Sequence, residues 1–153
     1  MNWFFDLITN PFLITGVSSW LIAQVLKTII YAIINKKFDI MRLFGDGGMP
    51  SGHSATVTSI AVLCGIIFGT SSVEFALSAI FAIIVCHDAT GVRLETGKQA
   101  ILLNEIVKSF EILSTNELPE VKLKELVGHT PLQVLAGISI GISNAFFMYA
   151  LLF

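Results

Sequence analysis

Hydrophobic positions along the chain gather into four long runs, and most of the charge lies between them. Residues 11–34, PFLITGVSSWLIAQVLKTIIYAII, are interrupted only by Gln24 and Lys27, and the run exceeds the ~20 residues that cross a bilayer as a helix. A second apolar segment runs from about Ser54 to Gly69. A third begins at residue 73, after a GTSS turn, and continues toward HDATGVR; the last is LQVLAGISIGISNAFFMYALLF, from Leu132 to Phe153. The stretch NKKFDIMRLFGDGGMP is polar, basic and closed by glycines, which marks a loop or re-entrant turn. From Leu94 to Thr130 the composition is mixed, with Ile101, Leu102, Ile106, Phe110 and Leu113 recurring near helical spacing. That pattern predicts an amphipathic helix lying at the membrane interface or over the functional site. The expected fold is all-α: a single domain, residues 1–153, forming an integral membrane helical bundle of about four transmembrane helices plus an amphipathic interfacial helix.

Composition agrees with lipid as the solvent. Hydrophobic residues make up 54% and charged residues 13%, against roughly 25% charge in a soluble domain, and mean hydropathy is +0.81. The opening MNWFFDLITN carries an acid and no base, so the first hydrophobic segment is expected to be retained rather than cleaved as a signal. Cys64 and Cys86 lie inside apolar runs and read as packed thiols, not as a disulfide framework or metal cluster. The net charge of −2 says little about partners, and no nucleic-acid partner is expected; the position of the charges says more. Four crossings bring residues 35–53 and 88–130 to one face. That face holds all nine basic residues, counting Lys27, while the other has Asp6 and Glu74 but no Lys or Arg. The positive-inside rule makes the basic face cytoplasmic and puts both termini on the other side. Gly137 and Gly141, in GISIG, are spaced for close helix packing, and a homo-oligomer is compatible with the chain.

Candidate chemistry sits where apolar runs meet the basic face. In MPSGHSATV, proline and glycine precede a hydrophobic run, so a helix N-terminus at Ser51 and Gly52 would offer backbone N–H groups and a partial positive charge to an anion. His53 would stand in the first turn, placed to give or take a proton. The plainer reading is a Ser51 or Ser54 N-cap with an incidental histidine. Asp88 and Arg93 close the third run: either they pair with each other or the arginine snorkels, or Arg93 binds an anion. His87 reads as packed or interfacial. His129 precedes the last run, with Gln133 one turn beyond. The GDGG stretch has a single acid and reads as a flexible turn, not a magnesium site.

These blocks, GGMPSGHSA at 47–55, DATGVR at 88–93 and GHTPLQV at 128–134, resemble the type 2 phosphatidic acid phosphatases. That superfamily shares a fold with vanadium haloperoxidases, and the likeness is to its small divergent bacterial and plant branch, over roughly residues 20–145. The resemblance implies a membrane-bound, metal-independent and cofactor-free phosphatase acting on a lipid phosphate or pyrophosphate, in a bacterial plasma membrane and in contact with membrane lipids. It implies that His129 attacks phosphorus to form a phosphohistidine and that His53 protonates the departing oxygen. Arg93, Ser51 and Gly52 would bind the phosphoryl oxygens. The superfamily's first block, a lysine followed by an arginine–proline pair, is matched only loosely: Arg42 lacks the proline, and the lysine is Lys27, Lys36 or Lys37. Lys27 is favoured, because a lysine within an apolar helix needs a partner. Gln133 stands where the superfamily aspartate would hold the nucleophilic histidine, with Asp88 as a possible spatial substitute. The alternative function is a non-catalytic phospholipid or phosphate-headgroup binding membrane protein; a purely structural bundle leaves the histidines at helix mouths unexplained.

Overall fold

The computed structural model of the chain describes residues 2–40, 43, 47–113, 123 and 128–153. The helices are α1 (Trp3–Ile8), α2 (Pro11–Asn35), α3 (Gly52–Phe68), α4 (Val73–Thr90), α5 (Val92–Leu113) and α6 (Pro131–Leu152). The protein is an all-α membrane bundle. Local chemistry sets the boundaries. Asn10 caps α2 by accepting from the N–H groups of Phe12 (2.9 Å) and Leu13 (3.2 Å), with Pro11 at the first helical position where its missing N–H costs nothing. Ser51 caps α3 and Ser72 caps α4 in the same way.

Three helical stretches are long and apolar enough to cross a membrane: Pro11–Asn35, Val73–Phe110, which runs through α4 into α5, and Pro131–Leu152. Helix α3 is apolar but has only 17 residues, about 25 Å at 1.5 Å per residue. It is the hub, packed against α6, α2 and α4. Gly52 meets Trp20 while Gly16 meets Thr56 and Ile60, so α3 runs antiparallel to α2. Gly137 lies on the carbonyl of Ser51 and Gly141 on that of Ala55, so α6 runs alongside α3 in the same direction. The GISIG glycines are thus where the α3 and α6 backbones touch.

The interior is built of small and polar side chains: Ala23, Ala55, Ala61, Ala145, Ser19, Ser54 and Ser59 are buried, and Leu63 is the largest fully buried side chain. Large apolar side chains such as Leu77, Ile80, Phe81, Ile84, Phe146 and Phe147 face outward. In lipid this is the expected arrangement, because tails solvate Leu and Phe as well as a core does, and association rests on close packing and interhelical hydrogen bonds. Asn144 of α6 supplies such bonds, donating to Ser19 Oγ (2.7 Å), Ser18 Oγ (2.9 Å) and the Thr15 carbonyl (3.2 Å) of α2.

One element was not expected: Trp3–Ile8 forms a separate short helix ahead of α2. The amphipathic helix α5 is present, and of the two positions expected for it, at the interface or over the site, it does not take the second: among the described helices it packs only on α4, which it extends after a break at Gly91, and only its first turn borders the site.

Candidate functional site

The three blocks at the basic face converge, and His129 is the residue through which they meet. Its backbone N–H donates to the carbonyl of Ala89 at the end of α4 (2.9 Å). The preceding Gly128 has φ +86° and lies on the Arg93–Leu94 backbone so closely that a Cβ there would collide with it. Only glycine satisfies both conditions. The loop entering α6 is therefore seated on the α4–α5 junction, and the chain of contacts continues into α3, where Ser51 N–H donates to the carbonyl of Gln133 (3.0 Å).

Gln133 also fixes the ring of His129. Its Oε1 accepts from the backbone N–H of Thr130 (3.1 Å), the back-reaching half of a capping box, and lies 3.2 Å from His129 Nδ1. A backbone N–H can only donate, so the atom facing Thr130 is the amide oxygen and not the nitrogen. In the neutral imidazole Nδ1 must then carry the hydrogen, which leaves the lone pair on Nε2. Burial holds His129 below its ordinary pKa of 6.5; the bond to Gln133 opposes this, the positive charges of Lys27 and His53 lower it further, and the Gly48 carbonyl opposes. His129 itself is 6% exposed. The arrangement gives a buried imidazole whose Nδ1 is held by Gln133 and whose ring also meets the Gly48 carbonyl.

The cationic groups around it come from separate elements. Lys27 is buried in α2 with its stem against Gly48, whose φ of +83° is the left-handed conformation glycine tolerates. Lys36 and Lys37 are exposed beyond it. His53, in the first turn of α3, is exposed. Ser51 is fully buried, and its Oγ accepts from Ser54 N–H (3.3 Å) and Ser54 Oγ (3.0 Å). With Ser51 N–H given to α6, the backbone donors left at the α3 mouth are those of Gly52 and His53. Asp88 does not reach His129: its carboxylate takes the Nε–H of Arg93 at 2.6 Å, with both side chains about half exposed. An ion pair that open to solvent adds little stability, and it engages one edge of the guanidinium. Arg42 lies outside the described residues. Among the described residues no three His, Cys, Asp or Glu side chains group as a metal site.

Two contributors escaped the sequence reading. Trp20 lies against Gly52 at the mouth of α3. Gln24, which had stood only as a break in an apolar run, is 5% exposed and shares a face of α2 with Trp20 and Lys27. The signal was present, since polar residues at i and i+3 inside a membrane helix face the same way.

Comparisons with known proteins agree with the geometry. A family profile described as the Divergent PAP2 family matches residues 8–144. The chain is 39% identical over 141 residues to a curated protein, the uncharacterized membrane protein YuiD of Bacillus subtilis (strain 168), covering 86% of this chain and 89% of that one. No solved structure matches. The profile spans the capped mouth of α3, the α4–α5 junction and the His129 loop alike, so the chain belongs to the divergent PAP2 family.

Proposed function

We propose that the protein is a membrane-embedded, metal-independent phosphatase that removes a terminal phosphoryl group from a lipid phosphate or pyrophosphate. The observation that carries this reading is the Gln133 amide oxygen, which holds a buried neutral His129 as the Nδ1–H tautomer. Nε2 attacks phosphorus, the bond to the lipid oxygen breaks, and His53 gives that oxygen a proton. His53 then takes a proton from water as the water attacks the phosphohistidine, releasing phosphate and restoring His129. Phosphoryl transfer passes through a loose transition state with charge spread over the equatorial oxygens, so cationic donors and in-line placement supply most of the catalysis. Lys27, Arg93 and the N–H groups of Gly52 and His53 fill that role.

The test is phosphate release from a panel of lipid phosphates by purified protein with chelator present, together with acid quenching to trap a phosphoenzyme. Release with label on His129 is expected. The acid limb of the rate profile due to His129 should fall below pH 6.5, because its lowered pKa keeps the nucleophile neutral to lower pH. Anion binding without release or label favours the second reading, a phosphate-headgroup binding protein. That reading draws support from Asp88, which pairs with Arg93 and gives His129 no carboxylate.

We assign the site to the cytoplasmic side of a bacterial plasma membrane, with both termini opposite, because all nine Lys and Arg of the sequence fall in the segments expected at one face and none in those expected at the other. In a variant with Cys86→Ser, a cysteine at Ser72 should react with an impermeant thiol reagent in intact cells and one at Lys37 should not. The reverse pattern places the site outside.

A further inference from the structure

Among the described residues, the buried surface of the α2 helix holds one side-chain polar atom with nothing to bond. Gln24 Oε1 is inaccessible to solvent and has no hydrogen-bond partner among them, whereas Asn144, another buried amide, has three acceptors for its nitrogen. In a bilayer no bulk water is at hand to satisfy such a group, and leaving it bare is unfavourable. A glutamine serving only to join helices would be expected to have its partner in place. Its position points elsewhere: Gln24 lies one turn after Trp20, which packs on Gly52, and one turn before Lys27, which packs on Gly48. It therefore faces the segment that carries the PSGH block, between the two residues of α2 that touch it.

We infer that Gln24 is a further ligand-binding residue of this site, and that its amide oxygen accepts a hydrogen from the phosphoryl group, selecting a singly protonated terminal phosphate. This rests on the reading of the site as a phosphate cradle and narrows it. Lys27, His53 and Arg93 can serve the unprotonated oxygens, but a carbonyl oxygen has no hydrogen to offer and repels them. In the orientation the structure gives the Gln24 amide, it is matched by an oxygen that brings its own hydrogen. A phosphate monoester or terminal pyrophosphate group has one at mildly acid to neutral pH, its second ionisation lying near pH 6. A phosphodiester anion has none, so the bulk phospholipids of the bilayer are passed over in favour of lipids with a terminal phosphate.

The test uses the full chain in detergent or nanodiscs and the two simplest probes, inorganic phosphate and sulfate, titrated calorimetrically at about pH 6. Phosphate there carries P–OH; sulfate does not. Wild type should bind phosphate about tenfold or more tightly than sulfate, the span expected of a hydrogen bond made in one complex and missing in the other. Gln24→Leu should lose about tenfold in phosphate affinity with sulfate nearly unchanged. Gln24→Glu retains an acceptor of the same reach, so the preference for phosphate should persist or widen. A folded Gln24→Leu protein with an unaltered ratio of the two affinities overturns the inference and leaves the cradle standing. If that variant does not fold, Gln24→Glu decides: equal binding of the two anions overturns it. Wild type that binds neither anion overturns the cradle itself along with the role of Gln24.

Discussion

His129→Ala is expected to abolish phosphate release, by at least about 10³-fold, while the purified protein keeps its helicity and its affinity for inorganic phosphate within a few-fold. Removing a nucleophile eliminates the covalent route altogether, and what remains is the residual effect of binding and charge. Gln133 extends the same experiment. Gln133→Leu deletes the acceptor shared by His129 Nδ1 and Thr130 N–H; loss of such an orienting partner should cost about 10–100-fold. Gln133→Glu preserves the reach and adds a negative charge to stabilise the imidazolium that develops, so it should raise the rate, each tenfold being about 1.4 kcal/mol of barrier. Gln133→Asp is one methylene shorter and loses the Thr130 cap, so it should gain less. Leu and Glu variants that both fold and hydrolyse at the wild-type rate would show that the tautomer set by Gln133 does not govern the chemistry.

Gly137→Ala is expected to destabilise the bundle strongly. Alanine is normally favoured over glycine inside a helix by roughly 1 kcal/mol, so on propensity alone the change should help. Here the new methyl would lie on the Ser51 carbonyl, backbone against backbone, and α3 and α6 would have to part. Overpacking of that kind costs typically 1–3 kcal/mol and more where nothing yields. Gly16→Ala is the contrast: its methyl would meet the end of the Ile60 side chain at 2.9 Å, which a rotamer change relieves. Thermal unfolding in detergent should place Gly137→Ala well below wild type and Gly16→Ala close to it. A Gly137→Ala transition at the wild-type temperature would refute the backbone contact.

The sequence made the bundle readable because membrane helices announce themselves by length. The first run was expected over 11–34 and is helical over 11–35; the last, expected from Leu132 to Phe153, forms Pro131–Leu152. The second helix starts two residues before the expected Ser54, since the Ser51 cap, and not the first apolar side chain, sets its start. Helix α1 was missed because WFFDLI is too short to register as a span. The amphipathic periodicity of α5 was legible but its direction was not: that depends on the backbone at Gly91, where the pattern changes without a break strong enough to turn the chain. At the candidate site, the blocks singled out His53, Arg93 and His129 by type and spacing. What spacing does not contain is which acceptor takes which hydrogen. Ser51 gives its N–H to α6, Asp88 is taken by Arg93, and one oxygen of Gln133 serves both a helix cap and an imidazole.

The inverted interior, serine and alanine within and leucine and phenylalanine without, has a thermal consequence. The heat-capacity increase that bends the stability curve of a soluble protein comes from wetting apolar surface on unfolding. Helices of this bundle that separate within a bilayer exchange glycine and serine contacts for lipid chains and meet almost no water. Its free energy of helix association should therefore change nearly linearly with temperature, without the dome that gives soluble domains a temperature of greatest stability and a cold limit.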